Sequence, residues 1–346
     1  MKKLVFLAAV AAATLALAGC ATNTGSGDSP TTPPDQGGST EGPNRVQPID
    51  GDLQGAKIAL LSFGNNPFWE PVEAGGKAAA AALADRGATV DYIVMGATLD
   101  VPTITTAIES AVTQGYDAIG VVPLADGSCP AIKAAVDQGV AVATFIAEGT
   151  CSEDAGSLFF HGQDGFAAGE VAGTTMAEQI KCTGTVGVIT GSFGVQIHED
   201  RRTGFEKALS DACPDVVILP AIENADDAGK AQSISTDFIT AYPDLSGIYV
   251  TAGGPFGAAQ AVDQAGKAGK VKVISFDFVP ETVDLVRSGV ISATIGQDPF
   301  GESYNTAILL FNYLVDGKAP SPYFVPVSSE VLTAENADEI LANQGG

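Results

Sequence analysis

Short, continuously apolar runs alternate with longer helical patterns along most of this chain, from Ala56 onward. The apolar runs are rich in β-branched residues. They predict strands at 57–61, 92–95, 118–122 and 140–145, and again at 186–190, 216–219, 247–250 and 271–276. Strands that are apolar throughout, rather than at every second position, are typical of parallel sheets with helices on both faces.

The stretches between these strands predict helices at 67–86, 103–114 and 131–138, then at 197–210, 228–241 and 256–268. Gly87, Gly115 and Gly139 end the first three helices, where a left-handed residue is expected. This alternation implies right-handed crossovers and doubly wound sheets. Because two such sets meet near 160–164, we expect an α/β protein with two lobes. A helix at 300–314 and the segment 323–327 then return the chain to the first lobe.

The N-terminus has the pattern of an export signal. A basic start, Met1–Lys3, precedes an apolar run from Leu4 to Ala18 that is too short to span a bilayer. The run ends in Leu17-Ala18-Gly19-Cys20, which resembles the lipobox of bacterial lipoproteins. We therefore expect residues 1–19 to be a signal peptide and Cys20 to be lipidated. The protein would then be extracytoplasmic and anchored to the cell membrane by lipid. The alternative is a secreted protein in which Cys20 is incidental.

Residues 21–55 are dominated by Thr, Ser, Gly, Pro, Asp and Asn, with scarcely an aliphatic side chain. Such a segment buries too little apolar surface to offset its chain entropy, so we expect 20–55 to be the lipidated cysteine and a disordered linker. Roughly 290 residues remain, which is long for one domain and sufficient for two.

The charge balance excludes several partners. The chain has 17 basic and 41 acidic residues, a formal net charge of −24. Nucleic acid would be repelled, and anionic lipid headgroups would be poor partners for the globular part.

Four cysteines remain once Cys20 is set aside: Cys129, Cys151, Cys182 and Cys213. An even number in an exported chain indicates disulfides, and four cysteines allow three connectivities. Cys129 and Cys151 both follow strands of the first lobe, while Cys182 and Cys213 both end helices of the second. This placement favours Cys129–Cys151 and Cys182–Cys213. A zinc site is not expected, because there is no CxxC pair and the chain has only two histidines.

Candidate binding residues follow the predicted strands, because open parallel sheets bind ligands at the carboxyl ends of their strands. Asn66 and Pro67 after the first strand are explained as the cap and first residue of a helix. Phe68 and Trp69 are not, since only one of two adjacent aromatics can face the sheet. We expect Trp69 at the rim of an interlobe cleft, where aromatic faces suit the C–H faces of sugars.

Three polar residues stand in comparable places in the second half. Arg201 lies in the helix after the strand ending at Thr190, Asp277 directly follows Phe276, and Gln297 follows Gly296. A guanidinium fork suits paired hydroxyls or a carboxylate, and an aspartate can accept two hydrogen bonds from vicinal hydroxyls. We expect Asp277, like Trp69, at the rim and not in a core.

The sequence has none of the common motifs that indicate catalysis. The glycine-rich turn at 191–194 matches neither a phosphate-binding nor a dinucleotide-binding fingerprint, and the chain has no GxSxG elbow in the predicted fold. We therefore expect no enzyme activity, no cofactor and no metal.

Seven short segments follow one another in a fixed order along 56–327. They are Asn65-Asn66-Pro67-Phe68-Trp69, Gly162-Gln163-Asp164, Gly169-Glu170-Val171-Ala172-Gly173, Arg201-Arg202-Thr203-Gly204-Phe205, Thr240-Ala241-Tyr242-Pro243-Asp244, Phe276-Asp277 and Ala293-Thr294-Ile295-Gly296-Gln297. In this order and spacing they resemble the type I periplasmic sugar-binding proteins, the ribose- and galactose-binding type. The resemblance implies two doubly wound parallel-sheet lobes joined by a multi-strand hinge, with crossings near Gln163, Gln297 and Val327. It implies a first lobe of 56–163 plus 298–327 and a second of 164–297 plus 328–346. It also implies sugar contacts from the residues at the matching positions: Asn66, Phe68, Trp69, Arg201, Asp277 and Gln297.

The chain departs from that family at three polar positions. Ile146 and Ala147 stand where an Asp-Arg pair is usual, and Ala252 stands where an asparagine is usual. The ligand is therefore expected to be smaller, less hydroxylated or differently oriented than ribose.

The resulting hypothesis is a monomeric solute-binding lipoprotein of an ABC importer. It would bind a sugar or sugar-like polyol and hand it to permease subunits in the membrane. Two alternatives remain open: a sensory lipoprotein that signals to a membrane receptor, and a binder of another small polar molecule. A repressor with the same core is excluded by the signal, the linker and the negative charge.

Overall fold

The computed structural model describes residue 40 and residues 44–64, 66–96 and 99–344. The predicted signal peptide, Cys20 and Asn65 lie outside the described residues. Both lobes discussed below fall in one compact unit, Gln36–Gly346. Within the described part of the chain, no helix is long and apolar enough to cross a membrane.

The first lobe is built on a six-stranded, all-parallel sheet in the order β12-β5-β4-β3-β1-β2. Its strands are β1 (Lys57–Ser62), β2 (Thr89–Val94), β3 (Ala118–Val121), β4 (Ala141–Phe145), β5 (Phe160–Gln163) and β12 (Phe324–Val327). Its helices are α1 (Trp69–Ala84), α2 (Val101–Thr113), α3 (Cys129–Asp137) and α9 (Pro299–Asp316). Successive β1 side chains belong to different cores: Leu60 packs with Phe311 of α9, and Leu61 with Ile104 of α2. Helices on both faces explain why the strand is apolar throughout.

The second lobe has seven strands in the order β13-β11-β10-β9-β6-β7, with β8 also paired to β6. The strands are β6 (Thr185–Thr190), β7 (Val217–Ile218), β8 (Ile222–Glu223), β9 (Leu245–Val250), β10 (Lys272–Phe276), β11 (Ala293–Gly296) and β13 (Glu330–Leu332). The helices are α4 (Gly165–Ile180), α5 (Gln196–Ala212), α6 (Ala228–Ala241), α7 (Pro255–Gln264), α8 (Pro280–Arg287) and α10 (Ala337–Gln344). The edge strand β13 is antiparallel to β11, so this sheet is parallel except at one edge.

The chain passes between the lobes three times, after β5, after β11 and after β12. Gln163, at the end of β5, joins all three crossings. Its amide Nε2 donates to the carbonyl oxygen of Gly296 at 3.1 Å and to Oγ of Ser329 at 3.0 Å. A buried amide with partners on each crossing strand holds the hinge together.

Residues 44–55, which we call the N-terminal strap, differ from the prediction. The expectation of disorder through Gly55 is wrong for this part, because its backbone is hydrogen-bonded along α9. The amide nitrogens of Val46 and Ile49 donate to the side-chain oxygens of Asn305 and Asn312, each at 2.9 Å. The Arg45 guanidinium pairs with the Asp298 carboxylate beside the second hinge crossing. Side-chain amides of the helix therefore order the strap, together with the packing of Val46 and Leu53 against the first-lobe core.

The predicted helix C-termini are confirmed at the three positions where a glycine follows the helix. Gly87, Gly115 and Gly139 have φ values of +77°, +71° and +88°, the left-handed conformation that ends a helix. Other boundaries move by a few residues. The helix expected from Pro67 begins at Trp69, and α7 ends at Gln264, not at residue 268.

The structure contains two disulfides, Cys129–Cys151 and Cys182–Cys213, which are the pairs that the sequence analysis favoured. Each lies within a single lobe. Neither bridge therefore restrains movement of one lobe relative to the other.

Candidate functional site

One cavity between the lobes brings together all six residues predicted from the sequence. It lies at the carboxyl ends of the strands of both sheets, where binding in open α/β sheets is expected. Its lining consists of Asn66, Phe68, Trp69, Leu99, Val122, Leu124, Ile146, Ala147, Val195, Ile197, His198, Arg201, Asp226, Ala252, Gly253, Asp277 and Gln297.

The turn before α1 supplies the aromatic part of the lining. The Asn66 side-chain oxygen accepts a hydrogen bond from the Phe68 amide at 3.0 Å, so it caps the turn that leads into the helix. The ring of Phe68 meets Trp69 edge to face, with centroids 5.0 Å apart. Phe63 also packs against Trp69, with ring centroids 5.7 Å apart.

The expectation that Trp69 sits at a rim is wrong. Its side chain is only 7% exposed and belongs to the first-lobe core, because the first turn of α1 faces the sheet. Its indole Nε1–H has no hydrogen-bond partner among the described residues. Trp69 therefore belongs to the core, lines the cavity and carries an unsatisfied indole N–H.

Arg201 is held in place by an unusually close pair of helices. A Cβ on Gly169 of α4 would lie 2.2 Å from the Arg201 carbonyl oxygen, so only glycine permits this approach. The guanidinium donates to Oε1 of Gln163 at 2.8 Å and to the carbonyl oxygen of Thr251 at 3.2 Å. It also lies 3.9 Å from the centroid of the Phe276 ring. Among the described residues, Arg201 Nε has no hydrogen-bond partner.

Asp277 and Gln297 form a second polar pair, directly after the neighbouring strands β10 and β11. Gln297 Nε2 donates to Oδ1 of Asp277 at 2.8 Å, which leaves Gln297 Oε1 without a partner in the described chain. Asp277 has a φ of +69°, a strained value for a residue other than glycine and one that aspartate tolerates better than most. Burial raises the pKa of the Asp277 carboxyl, and the nearby Arg201 charge opposes that rise.

Two further polar residues line the cavity that the sequence analysis did not identify. The Ser192 amide donates to Nδ1 of His198 at 3.0 Å, and the Gly253 amide donates to Oδ1 of Asp226 at 2.9 Å. Burial lowers the pKa of His198, which favours the neutral ring. His198 precedes Arg201 by three residues on α5, and that spacing could have identified it. Asp226 lies in a left-handed turn, and no feature of the sequence points it toward the cavity.

The first-lobe wall of the cavity is largely apolar. Leu99, Val122, Leu124, Ile146 and Ala147 line this side. Leu124 and Ile146 have φ values of +60° and +65°. For a β-branched residue such as Ile146 this conformation is a clear outlier, and strained residues of this kind concentrate at functional sites.

The lobes touch beside the cavity. The Gln196 amide, at the start of α5, donates to the carbonyl oxygen of Leu124 at 2.9 Å. Val195 and Ile197 on either side pack into the first-lobe core. Movement of the lobes apart would break these contacts and open the cavity to solvent.

The composition of the lining is that of a small-molecule binding site. Hydrogen-bond donors and acceptors lie around an apolar and aromatic surface.

Comparison with known proteins agrees with this geometry. Residues 58–319 match a family model described as a periplasmic binding protein domain. No match was found among curated proteins.

Solved structures of sugar-binding proteins are similar along most of the chain. GanP, a glucose-galactose binding protein from Geobacillus stearothermophilus, is 26% identical, with 82% of this chain and 99% of that chain covered and a TM-score of 0.74. An ABC transporter solute-binding protein from Agrobacterium vitis, bound with α-D-tagatopyranose, is 26% identical, with coverage of 84% and 98% and a TM-score of 0.75. A sugar-binding protein of a sugar ABC transporter from Bacillus halodurans is 28% identical, with coverage of 82% and 99% and a TM-score of 0.69.

Proposed function

Because the chain belongs to the periplasmic binding protein family, whose model it matches over residues 58–319, we propose that it captures a sugar or sugar-like polyol for an ABC importer. The family is one of binding proteins, so the chain is not an enzyme. In this proposal the protein is a lipoprotein held outside the membrane by Cys20, and it delivers its ligand to permease subunits.

The observation that carries the proposal is the set of unpaired polar atoms in the cleft. Trp69 Nε1 and Arg201 Nε are donors without a partner among the described residues, and Gln297 Oε1 is an acceptor without one. Buried polar groups normally find partners, because leaving one unpaired costs about 1–3 kcal/mol. A hydroxyl group both donates and accepts, so a polyhydroxylated ligand can satisfy donors and acceptors together.

The aromatic residues favour a sugar over a linear polar molecule. Phe68 and Trp69 provide an aromatic surface on one side, and the charged groups and the Gln297 amide lie on the other. A sugar ring presents C–H faces and an equatorial belt of hydroxyls, which fits this division. The Agrobacterium vitis protein binds a ketohexose and GanP binds glucose and galactose, and both share this fold.

Closure of the lobes is part of the proposed mechanism. A ligand that contacts both walls binds the closed form more tightly than the open form and shifts the population toward it. The three crossings near Gln163, Gln297 and Val327 are the hinge about which the lobes move.

Calorimetric titration with pentoses, hexoses, polyols and nucleosides tests the proposal. The same titrations on the Asp277→Asn variant test whether this carboxylate contacts the ligand. We expect at least one sugar or polyol to bind, and Asp277→Asn to weaken it by about 1.5–3 kcal/mol, roughly ten- to hundredfold. Asparagine keeps the side-chain shape and tolerates the left-handed backbone, so this variant should fold normally. Binding of nucleosides alone, or of no member of the panel, contradicts the proposed function.

A further inference from the structure

The two walls of the cleft differ in what they can offer a ligand. The described first-lobe wall is lined by Leu99, Val122, Leu124, Ile146 and Ala147, in addition to the aromatic residues. Among the described residues of this wall, only Asn66 and Trp69 have a polar side-chain atom. A hydroxyl group pressed against the aliphatic part of this wall would lose water and gain no partner.

The second-lobe wall carries the polar groups. Besides Arg201, Asp277 and Gln297, it presents His198 and Asp226. The Ser192 amide donates to Nδ1 of His198, so the neutral ring carries its proton on Nε2 and can donate it to a ligand. The backbone of Gly253 occupies Oδ1 of Asp226, which leaves Oδ2 as an acceptor.

Most side chains that can form hydrogen bonds with a ligand therefore lie on the second-lobe wall of the cavity. The first lobe has Ile146 and Ala147 at the cavity, and both are almost fully buried. Ile146 also holds a left-handed φ of +65° that costs energy for a β-branched residue. An apolar side chain kept at a strained position in the cavity lining indicates that this surface contacts an apolar part of the ligand.

We propose that the cleft selects a deoxy sugar, held with its hydroxyls on the second-lobe wall and a methyl or methylene edge against Ile146 and Ala147. His198 and Asp226 act as additional ligand-contacting residues on the hydroxyl side. This inference rests on the proposed function and narrows its substrate class.

The preference has a direct physical cause. A methyl group against Ile146 and Ala147 removes apolar surface from water, whereas a hydroxyl group in the same place loses its hydrogen bonds to water. The two effects act in the same direction. We therefore expect the deoxy member of a matched pair to bind roughly tenfold more tightly, or better.

Calorimetry with matched pairs of sugars tests this preference on the purified protein. The pairs are D-fucose with D-galactose, L-rhamnose with L-mannose, 6-deoxy-D-glucose with D-glucose, and 2-deoxy-D-ribose with D-ribose. Tighter binding of the deoxy member in each pair that binds supports the inference. Equal or tighter binding of the hydroxylated member overturns it while leaving sugar binding intact. Binding of another sugar or polyol but of no member of any pair overturns this inference alone, and binding of no sugar or polyol at all overturns both proposals.

Three variants test which wall of the cavity causes the preference. Ile146→Asn introduces a polar group at a position whose left-handed backbone asparagine tolerates better than isoleucine, so the fold should not suffer. It should reduce the deoxy preference roughly tenfold, and Ala147→Ser should act in the same direction. His198→Leu should weaken both members of a pair equally, by roughly five- to tenfold. A preference unchanged in both first-lobe variants, or full affinity in His198→Leu, overturns the assignment.

Discussion

The hinge and the cleft each bury a glutamine, and the two glutamines differ in whether the protein itself satisfies them. Gln163, in the hinge, donates to Gly296 and Ser329 and accepts from Arg201. Gln297, in the cleft, donates to Asp277, but its acceptor oxygen has no partner among the described residues. The side chains are chemically identical and about equally buried, at 1% and 6% exposure.

This difference separates structural polar groups from recognition groups. A buried amide with every bond made contributes to the folded state, whereas one left with a free acceptor next to a cavity contributes to binding. Arg201 belongs to both classes. Its terminal nitrogens bond to the hinge glutamine and to a backbone carbonyl, while its Nε has no partner among the described residues. In the proposed binding mode, Arg201 connects ligand contact to the hinge.

The largest effect is expected from Gln163→Leu, measured by urea unfolding. The substitution leaves the Gly296 carbonyl, Ser329 Oγ and one Arg201 nitrogen without their partner, and each unpaired buried group costs about 1–3 kcal/mol. We expect the free energy of unfolding to fall by about 3 kcal/mol or more. Gln138→Leu, at an exposed helix end, is the matched control and should change stability by less than about 0.5 kcal/mol. Equal stability of the two variants would show that Gln163 does not hold the hinge.

The pH dependence of stability tests the distinction between buried polar groups that affect folding and those that affect binding. Both carboxylate oxygens of Glu302 are buried and have no partner among the described residues, and Glu302 does not line the cavity. Burial, reinforced by the nearby charges of Asp298 and Asp277, raises the pKa of Glu302 well above its ordinary value of 4.5. The folded state therefore binds this proton more tightly than the unfolded state. Its contribution to stability is complete below pH 4.5 and is lost as the pH rises toward the folded pKa.

The variant Glu302→Gln mimics the neutral acid and cannot lose a proton. We expect it to match the wild-type protein near pH 4 and to become more stable than it as pH rises, by up to about 1.4 kcal/mol per pH unit within the window. Thermal unfolding from pH 4 to pH 8 measures the difference between the two proteins. Parallel stability curves would show that the Glu302 carboxyl is not held neutral.

The smallest effect is expected from Gln297→Leu, and it should appear in affinity and not in stability. The variant removes one acceptor for a ligand hydroxyl and the donor that orients Asp277, which should weaken binding by about 1 kcal/mol, or roughly fivefold. Water admitted to the cleft can solvate Asp277 in the free protein, so unfolding should change little. Calorimetry and urea unfolding of the same sample check both parts. A loss of stability comparable to that of Gln163→Leu would show that Gln297 also stabilises the fold and would contradict the difference proposed between the two glutamines.

The elements most accurately predicted from sequence are those defined by local patterns. Strand β1 and the glycine-capped ends of α1, α2 and α3 follow from apolar runs and from the left-handed conformation that glycine adopts. The two disulfide pairs followed from placing each cysteine on a predicted element. The N-terminal strap was missed, because its order comes from Asn305 and Asn312, more than 250 residues away in sequence.

The sequence alone determined the α/β class, the division into two lobes and the six residues that meet at the cleft. These follow from hydrophobic periodicity and from a family resemblance carried by short motifs in a fixed order. Tertiary structure alone decided that Trp69 is buried in a core, that Asp226 reaches the cavity and which of two glutamines is satisfied. The reason is physical: periodicity reports which side of an element is buried. Whether a buried polar atom finds a partner depends on atoms that distant parts of the chain bring within about 3 Å.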